Sequence, residues 1–118
     1  MQFVNLTPHA INTQVTNPDG SVEHRQFAPS GQVARCKPDQ ENIGIFGGVP
    51  VVRSVFGPVE GLPEPEPEAG LVFIVSTVVA QQCPHRADVV SPNTGPSAIR
   101  NDKGQVIAVT SFQSFFQA

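Results

Sequence analysis

The sequence predicts a mainly β protein, α+β at the margin. The expected architecture is an antiparallel sandwich or partly open barrel of about eight short strands with one short helix near 77–83. Three observations carry this. Twelve prolines and ten glycines punctuate the chain, and the longest stretch free of both, Gln105–Ala118, is 14 residues. Several segments alternate apolar and polar residues with period two. One continuous apolar run, "LVFIV", has the length of a buried strand rather than of a helix.

Taken in order, "NLTPHA" reads as a strand end and a Pro-centred joint. "AINTQVT", the turn "NPDG" and "SVEHRQF" form a hairpin, with Pro at the second turn position. "VARC" is a short strand and "KPDQENIG" a loop. "GVPVVRSVFG" is Val-rich and strand-like, with Pro50 near its start, where an edge tolerates it. The acidic Pro-rich segment 58–70 is expected to be a flexible, solvated loop, since Pro–Glu alternation favours polyproline II. "LVFIV" is the central strand. Ser76–Thr77 then cap a helix of about two turns that stops before Pro84. "DVV" is a short strand, and "AIRNDKGQVIAVTSFQSFF" a closing hairpin around Asn101–Gly104. At 118 residues the chain suits one domain, 1–118.

Charge narrows the partners. The net charge is −3, but Glu60, Glu64, Glu66 and Glu68 lie within nine residues, and apart from them seven basic residues face six acidic ones. No basic cluster exists, so duplex nucleic acid is not expected as a partner. No apolar run nears ~18 residues and the N-terminus lacks a basic n-region, so neither a membrane span nor a signal peptide is expected, and the expected location is cytoplasmic. Cys36 and Cys83, without CxxC spacing, are expected as free thiols.

The candidate chemistry is that of binding. Asn5, Thr7 and His9 either make a turn or point an amide, a hydroxyl and an imidazole into one pocket. Arg53 shares a strand face with Val49, Val51 and Val55, where a guanidinium needs a salt bridge, a route to water or an anion. Arg86 either pairs with Asp88 or grips an anion. Ser76 and Thr77 either cap the helix or also donate to an anion at its start. Thr94, in "SPNTGPS", is a further polar candidate beside a base or ribose. No phosphate loop, GxGxxG, nucleophile elbow or close metal-ligand spacing is present, so no catalytic residue, metal or cofactor is expected. Arg suits phosphate, so the expected ligand is small, anionic and nucleotide-like. A structural or protein-interaction module is the alternative, and a nucleotide hydrolase a further one. The tail "TSFQSFFQA", read as a strand, puts Phe115 opposite Phe112 and Phe116, and an aromatic left outside would make a homo-oligomer contact.

"NLTPHA", "PSGQVAR", "GVPVVR", "FGPVEGLPEP", "FIVSTVVAQ" and "SPNTGPSAIRND" together resemble a group of short phage, prophage and bacterial proteins marked by an N-terminal N-L-T-P-H-A. The likeness spans nearly the whole chain and implies no catalytic residues. It implies a phage setting, hence the host cytosol. By analogy it also suggests sequestration of an immune-signalling nucleotide.

Overall fold

The computed structural model describes residues 1–117. In chain order the strands are β1 (Gln2–Asn5), β2 (Ile11–Thr16), β3 (Val22–Phe27), β4 (Arg35–Phe46), β5 (Val49–Glu60), β6 (Leu71–Ile74), β7 (Val89–Pro92), β8 (Ile99–Arg100), β9 (Val106–Ala108) and β10 (Phe112–Gln113). Helix α1 (Thr77–Gln81) lies between β6 and β7, and a 3-10 turn covers Pro67–Ala69. The mainly β class with one short helix is as the sequence indicates.

The central sheet has the order β1-β6-β7-β10. Four of the six strand pairings are antiparallel, as tight turns require, but β6 pairs parallel with both β1 and β7. The cause is visible in "LVFIV". Phe73, Ile74 and Val75 are all buried, so β6 is covered on both faces, the condition that suits parallel pairing. The link to β7 runs through α1 and is long enough to cross over. Ser76 caps α1, its Oγ accepting from the Val79 N–H at 3.4 Å. Val79 and Ala80 face inward onto a core of Leu6, Ala34, Phe73, Val75, Cys83 and Val89. The sheets do not close into a barrel.

The β2–β3 hairpin forms as expected. Its turn is fixed by Gly20 N–H donating to Asn17 O and by Asp19 Oδ1 accepting from the Ser21 N–H and hydroxyl. That second pair of bonds holds the Asp19 carboxyl below its ordinary pKa.

Residues 37–44 are not the expected loop. They form the middle of β4, which pairs with β5 along a two-stranded arm. Lys37, Pro38, Asp39, Glu41 and Asn42 have low strand propensity, but here they face solvent and cross-strand pairing decides their conformation. Gly47 and Gly48, at φ +59° and +83°, make the tight reversal that only such residues adopt easily. The segment 58–70 is not loop throughout. β5 extends to Glu60, Leu62 packs against the core, and the Pro63 carbonyl accepts from Arg86.

The arm makes the molecule long. Its principal extents are 57 × 40 × 29 Å and its radius of gyration 17.1 Å; a compact chain of this length would have about 13.5 Å. The C-terminal strand also departs from expectation. After β9, Val109 bridges to Thr13, and the chain then crosses to pair Phe112 with Pro92. Beyond β10 the tail folds back, with Gln117 N–H donating to Pro84 O and Phe115 packed against the core. Only Phe116 of its aromatics is exposed.

Candidate functional site

The residues Asn5, Thr7 and His9 do come together, but as a knot. Asn5 is 2% exposed. Its Nδ2 donates to His9 O at 2.8 Å and Phe27 O at 2.9 Å, and its Oδ1 accepts from Thr7 N–H at 2.9 Å. The Thr7 hydroxyl lies 2.7 Å from Asn5 Oδ1 and 3.0 Å from His9 O. Every polar atom of the Asn5 amide is thereby engaged in binding β1 to the end of β3. The His9 side chain is exposed beside this knot.

The other candidates are dispersed. Arg86 forms a bidentate pair with Asp88, Nε to Oδ1 at 2.7 Å and a terminal N–H to Oδ2 at 2.8 Å, and also donates to Pro63 O. The hydrogen bonds from Arg86 hold the Asp88 carboxyl below its ordinary range, and Asp88 in turn raises the guanidinium pKa. Burial pushes the nearby Cys83 thiol up. Thr77 Oγ1 is within hydrogen-bond reach of Ser91 and Gln113, tying α1 to β7 and β10. Arg53 is exposed midway along the arm, and Thr94 is exposed, its carbonyl accepting from Arg100.

Two clefts remain. One, of about 400 Å³, lies between α1 and the base of the arm. Thr7 and Ser76 reach it, but both hydroxyls are engaged in the bonds above, and Leu6, Pro8, Phe56 and Val78 make most of its walls, with the exposed Arg35 also lining it. It is a largely apolar groove with one guanidinium at its edge.

The second cleft, of about 250 Å³, is built on one face of the β2–β3 hairpin. Register pairs Thr13 with Arg25 and Val15 with Glu23, so these side chains share a face with Phe27. That face folds against Phe3 of β1 and Phe112 of β10. The three rings form a cluster with centroids 5.3, 5.3 and 5.7 Å apart and interplanar angles of 59–71°. Arg25 lies over it, its Cζ 4.7 Å from the Phe27 centroid and 5.8 Å from that of Phe3. Among the described residues its guanidinium has no salt-bridge partner. A guanidinium held against two rings keeps its in-plane N–H groups free for an oxyanion. The rings offer an apolar floor, and Thr13, Ser111 and Glu23 a polar rim.

Sequence reasoning did not find this site. Its ingredients lie at positions 3, 25, 27 and 112, and only the fold gathers them. The local signal was the spacing Glu23, Arg25, Phe27, which puts a carboxylate, a guanidinium unpaired among the described residues and a ring on one strand face. In comparisons with known proteins, no family model, no curated protein and no solved structure matches the chain.

Proposed function

We propose that the protein binds a small anionic ligand carrying a flat ring, a nucleotide being the representative case, in the cleft of Phe3, Arg25, Phe27 and Phe112. The observation that carries the reading is Arg25: a guanidinium lying over two rings at the mouth of an apolar cleft, without an ion-pair partner among the described residues. Phosphate or carboxylate would take the guanidinium edge, the ring would pack on the phenylalanines, and Thr13, Ser111 and Glu23 would meet polar substituents. The resemblance to short phage and prophage proteins extends this reading. In a phage, the protein would act in the host cytosol by sequestering an immune-signalling nucleotide.

Thermal shift against mononucleotides, cyclic nucleotides and ADP-ribose derivatives tests it. A ligand at one hundred times its Kd stabilises by about 2.7 kcal/mol, a shift of several degrees. Arg25→Ala is expected to abolish that ligand-dependent shift relative to its own ligand-free baseline. Recovery of intact ligand after denaturation distinguishes sequestration from hydrolysis. A panel without effect at millimolar concentration overturns the reading.

A further inference from the structure

Strand β3 is an edge. Among the described residues it pairs with β2 alone, and Val22, Glu23, His24, Arg25 and Gln26 are all exposed. The hydrogen bonds show which of its backbone groups look outward. Asn17 N–H donates to Ser21 O where the hairpin closes. Bonded pairs alternate along an antiparallel ladder, so Val15–Glu23, Thr13–Arg25 and Ile11–Phe27 exchange the β2–β3 bonds. The far side of β2 agrees: Gln14 N–H donates to Val109 O, and Val109 N–H to Asn12 O. Across from Gln14 and Asn12 stand His24 and Gln26. The N–H and C=O groups of Val22, His24 and Gln26 therefore point away from β2, in a row, towards water.

Such a row is a template for another strand, and edges are ordinarily blunted by proline, lysine or a bulge. In the arm, β4 carries Pro38 and two register shifts, and β5 carries Pro50 and Pro58. β3 has none of these, and its register with β2 is unbroken from Val22 to Phe27. What it carries instead is Glu23 and Arg25, one on either side of His24. Reversed, Glu-His-Arg becomes Arg-His-Glu, so the segment is its own complement in charge.

We infer that two copies of the chain pair antiparallel along β3, about a two-fold axis through His24, and that this sets the partner's Glu23 opposite Arg25. The outward groups then bond His24 to the partner's His24, Val22 to the partner's Gln26 and Gln26 to the partner's Val22, each pair exchanging two hydrogen bonds. Glu23 and Arg25 fall on the close, non-hydrogen-bonded positions between these pairs, so a carboxylate meets a guanidinium on both sides of the axis. The other two-fold registers fail on charge or on length. An axis through Glu23 sets two carboxylates directly opposite, and one through Arg25 sets two guanidinium groups opposite. An axis through Val22 or Gln26 leaves most of the strand unpaired. A second copy is the occupant because the segment complements itself at this one register, as an isologous contact requires. The pairing also turns a two-stranded hairpin, marginal alone, into half of a four-stranded sheet. Arg25, without an ion-pair partner among the described residues of its own chain, gains one from the second copy. A bound anion would draw on the same guanidinium, so the ligand-free chain is the form that pairs.

Analytical ultracentrifugation of the full chain, without nucleotide, tests this and keeps its outcome separate from that of nucleotide binding. A contact of this length lies at the small end of specific interfaces, and wild type is expected to dimerise with a Kd of about 50 μM or tighter. Glu23→Arg and Arg25→Glu each set like charges opposite at both pairs, and each is expected to weaken the dimer at least about 10-fold. The double variant, Glu23→Arg with Arg25→Glu, restores the complement and is expected within about 3-fold of wild type. His24→Pro removes an outward N–H that β2 does not use, which an edge position tolerates, and is expected to abolish the dimer. Thermal unfolding checks that each variant is folded, and the charge exchange decides should His24→Pro unfold. A wild-type monomer at about 500 μM, well above that Kd, overturns the inference. So do single charge reversals that dimerise like wild type, a folded double variant no stronger than the single ones, or a folded His24→Pro that dimerises like wild type.

Discussion

Replacing Asn5 by Ala asks whether the N-terminal joint is held by this one amide. The substitution removes two donated and two accepted contacts at 2.7–2.9 Å from a side chain only 2% exposed. His9 is exposed, so water can replace the amide at its carbonyl, and the Thr7 hydroxyl can turn to the same carbonyl. The Thr7 N–H and the Phe27 carbonyl lose partners in half-buried surroundings. At about 1 kcal/mol for each lost bond, and more for a group left unsatisfied, the cost is about 3 kcal/mol. For a domain of this size that is a fall in Tm of roughly 10–15 °C. Asn5→Asp is expected to cost at least as much at neutral pH, because a carboxylate oxygen would face the carbonyls of His9 and Phe27. Its pKa would be raised by that setting, so its deficit should narrow as pH falls and the protonated acid regains one donor. Chemical denaturation of both variants across pH measures this. An Asn5→Ala variant within about 0.5 kcal/mol of wild type, the size of an ordinary surface change, would mean that the joint does not depend on this amide.

Asp88→Asn should destabilise by about 2–3 kcal/mol at neutral pH, below the full cost of breaking a wholly buried pair, because its side chains keep 12% and 20% exposure. Because the folded-state pKa of Asp88 is depressed, its stabilisation is present above the ordinary carboxyl range near 4 and is lost as pH falls through and below it. The wild-type advantage over Asp88→Asn in denaturant titrations should therefore shrink in acid. Gly61→Ala should cost at least about 2 kcal/mol, because φ is +82° and a Cβ would sit 2.5 Å from the Val33 carbonyl oxygen. Gly48→Ala, at φ +83° in open space, should cost only about 1 kcal/mol, and comparing the two melts separates clash from backbone strain.

Local chemistry was legible in the sequence where it is self-contained. "NPDG" specifies its turn through groups within five residues, Ser76 caps the helix three residues from its partner, and the unbroken apolar run of β6 announces burial. The parallel pairing of β6 was not expected: its unbroken run signals burial on both faces, which a central antiparallel strand also shows, and only the crossover through α1 distinguishes the two. β4 was not legible because its residues are chosen for solvent, and its strand character comes from β5. The Asn5 amide and the Arg86–Asp88 pair read equally well as sites or as braces, and only their partners, Phe27 and Pro63 among them, distinguish the two. The aromatic cleft joins the first strand to the last, a relation that no local pattern in the sequence carries.

The proposed ligand sits on the ring cluster under Arg25. Titration of ¹⁵N-labelled protein with adenosine monophosphate, followed by two-dimensional NMR, tests it most directly, with any panel nucleotide that stabilises the protein better used in its place. Saturable shifts centred on Phe3, Thr13, Arg25, Phe27 and Phe112 are expected, and their absence in Arg25→Ala. Shifts centred on the groove of Thr7, Ser76 and Val78, or no saturable shifts at millimolar ligand, would contradict it.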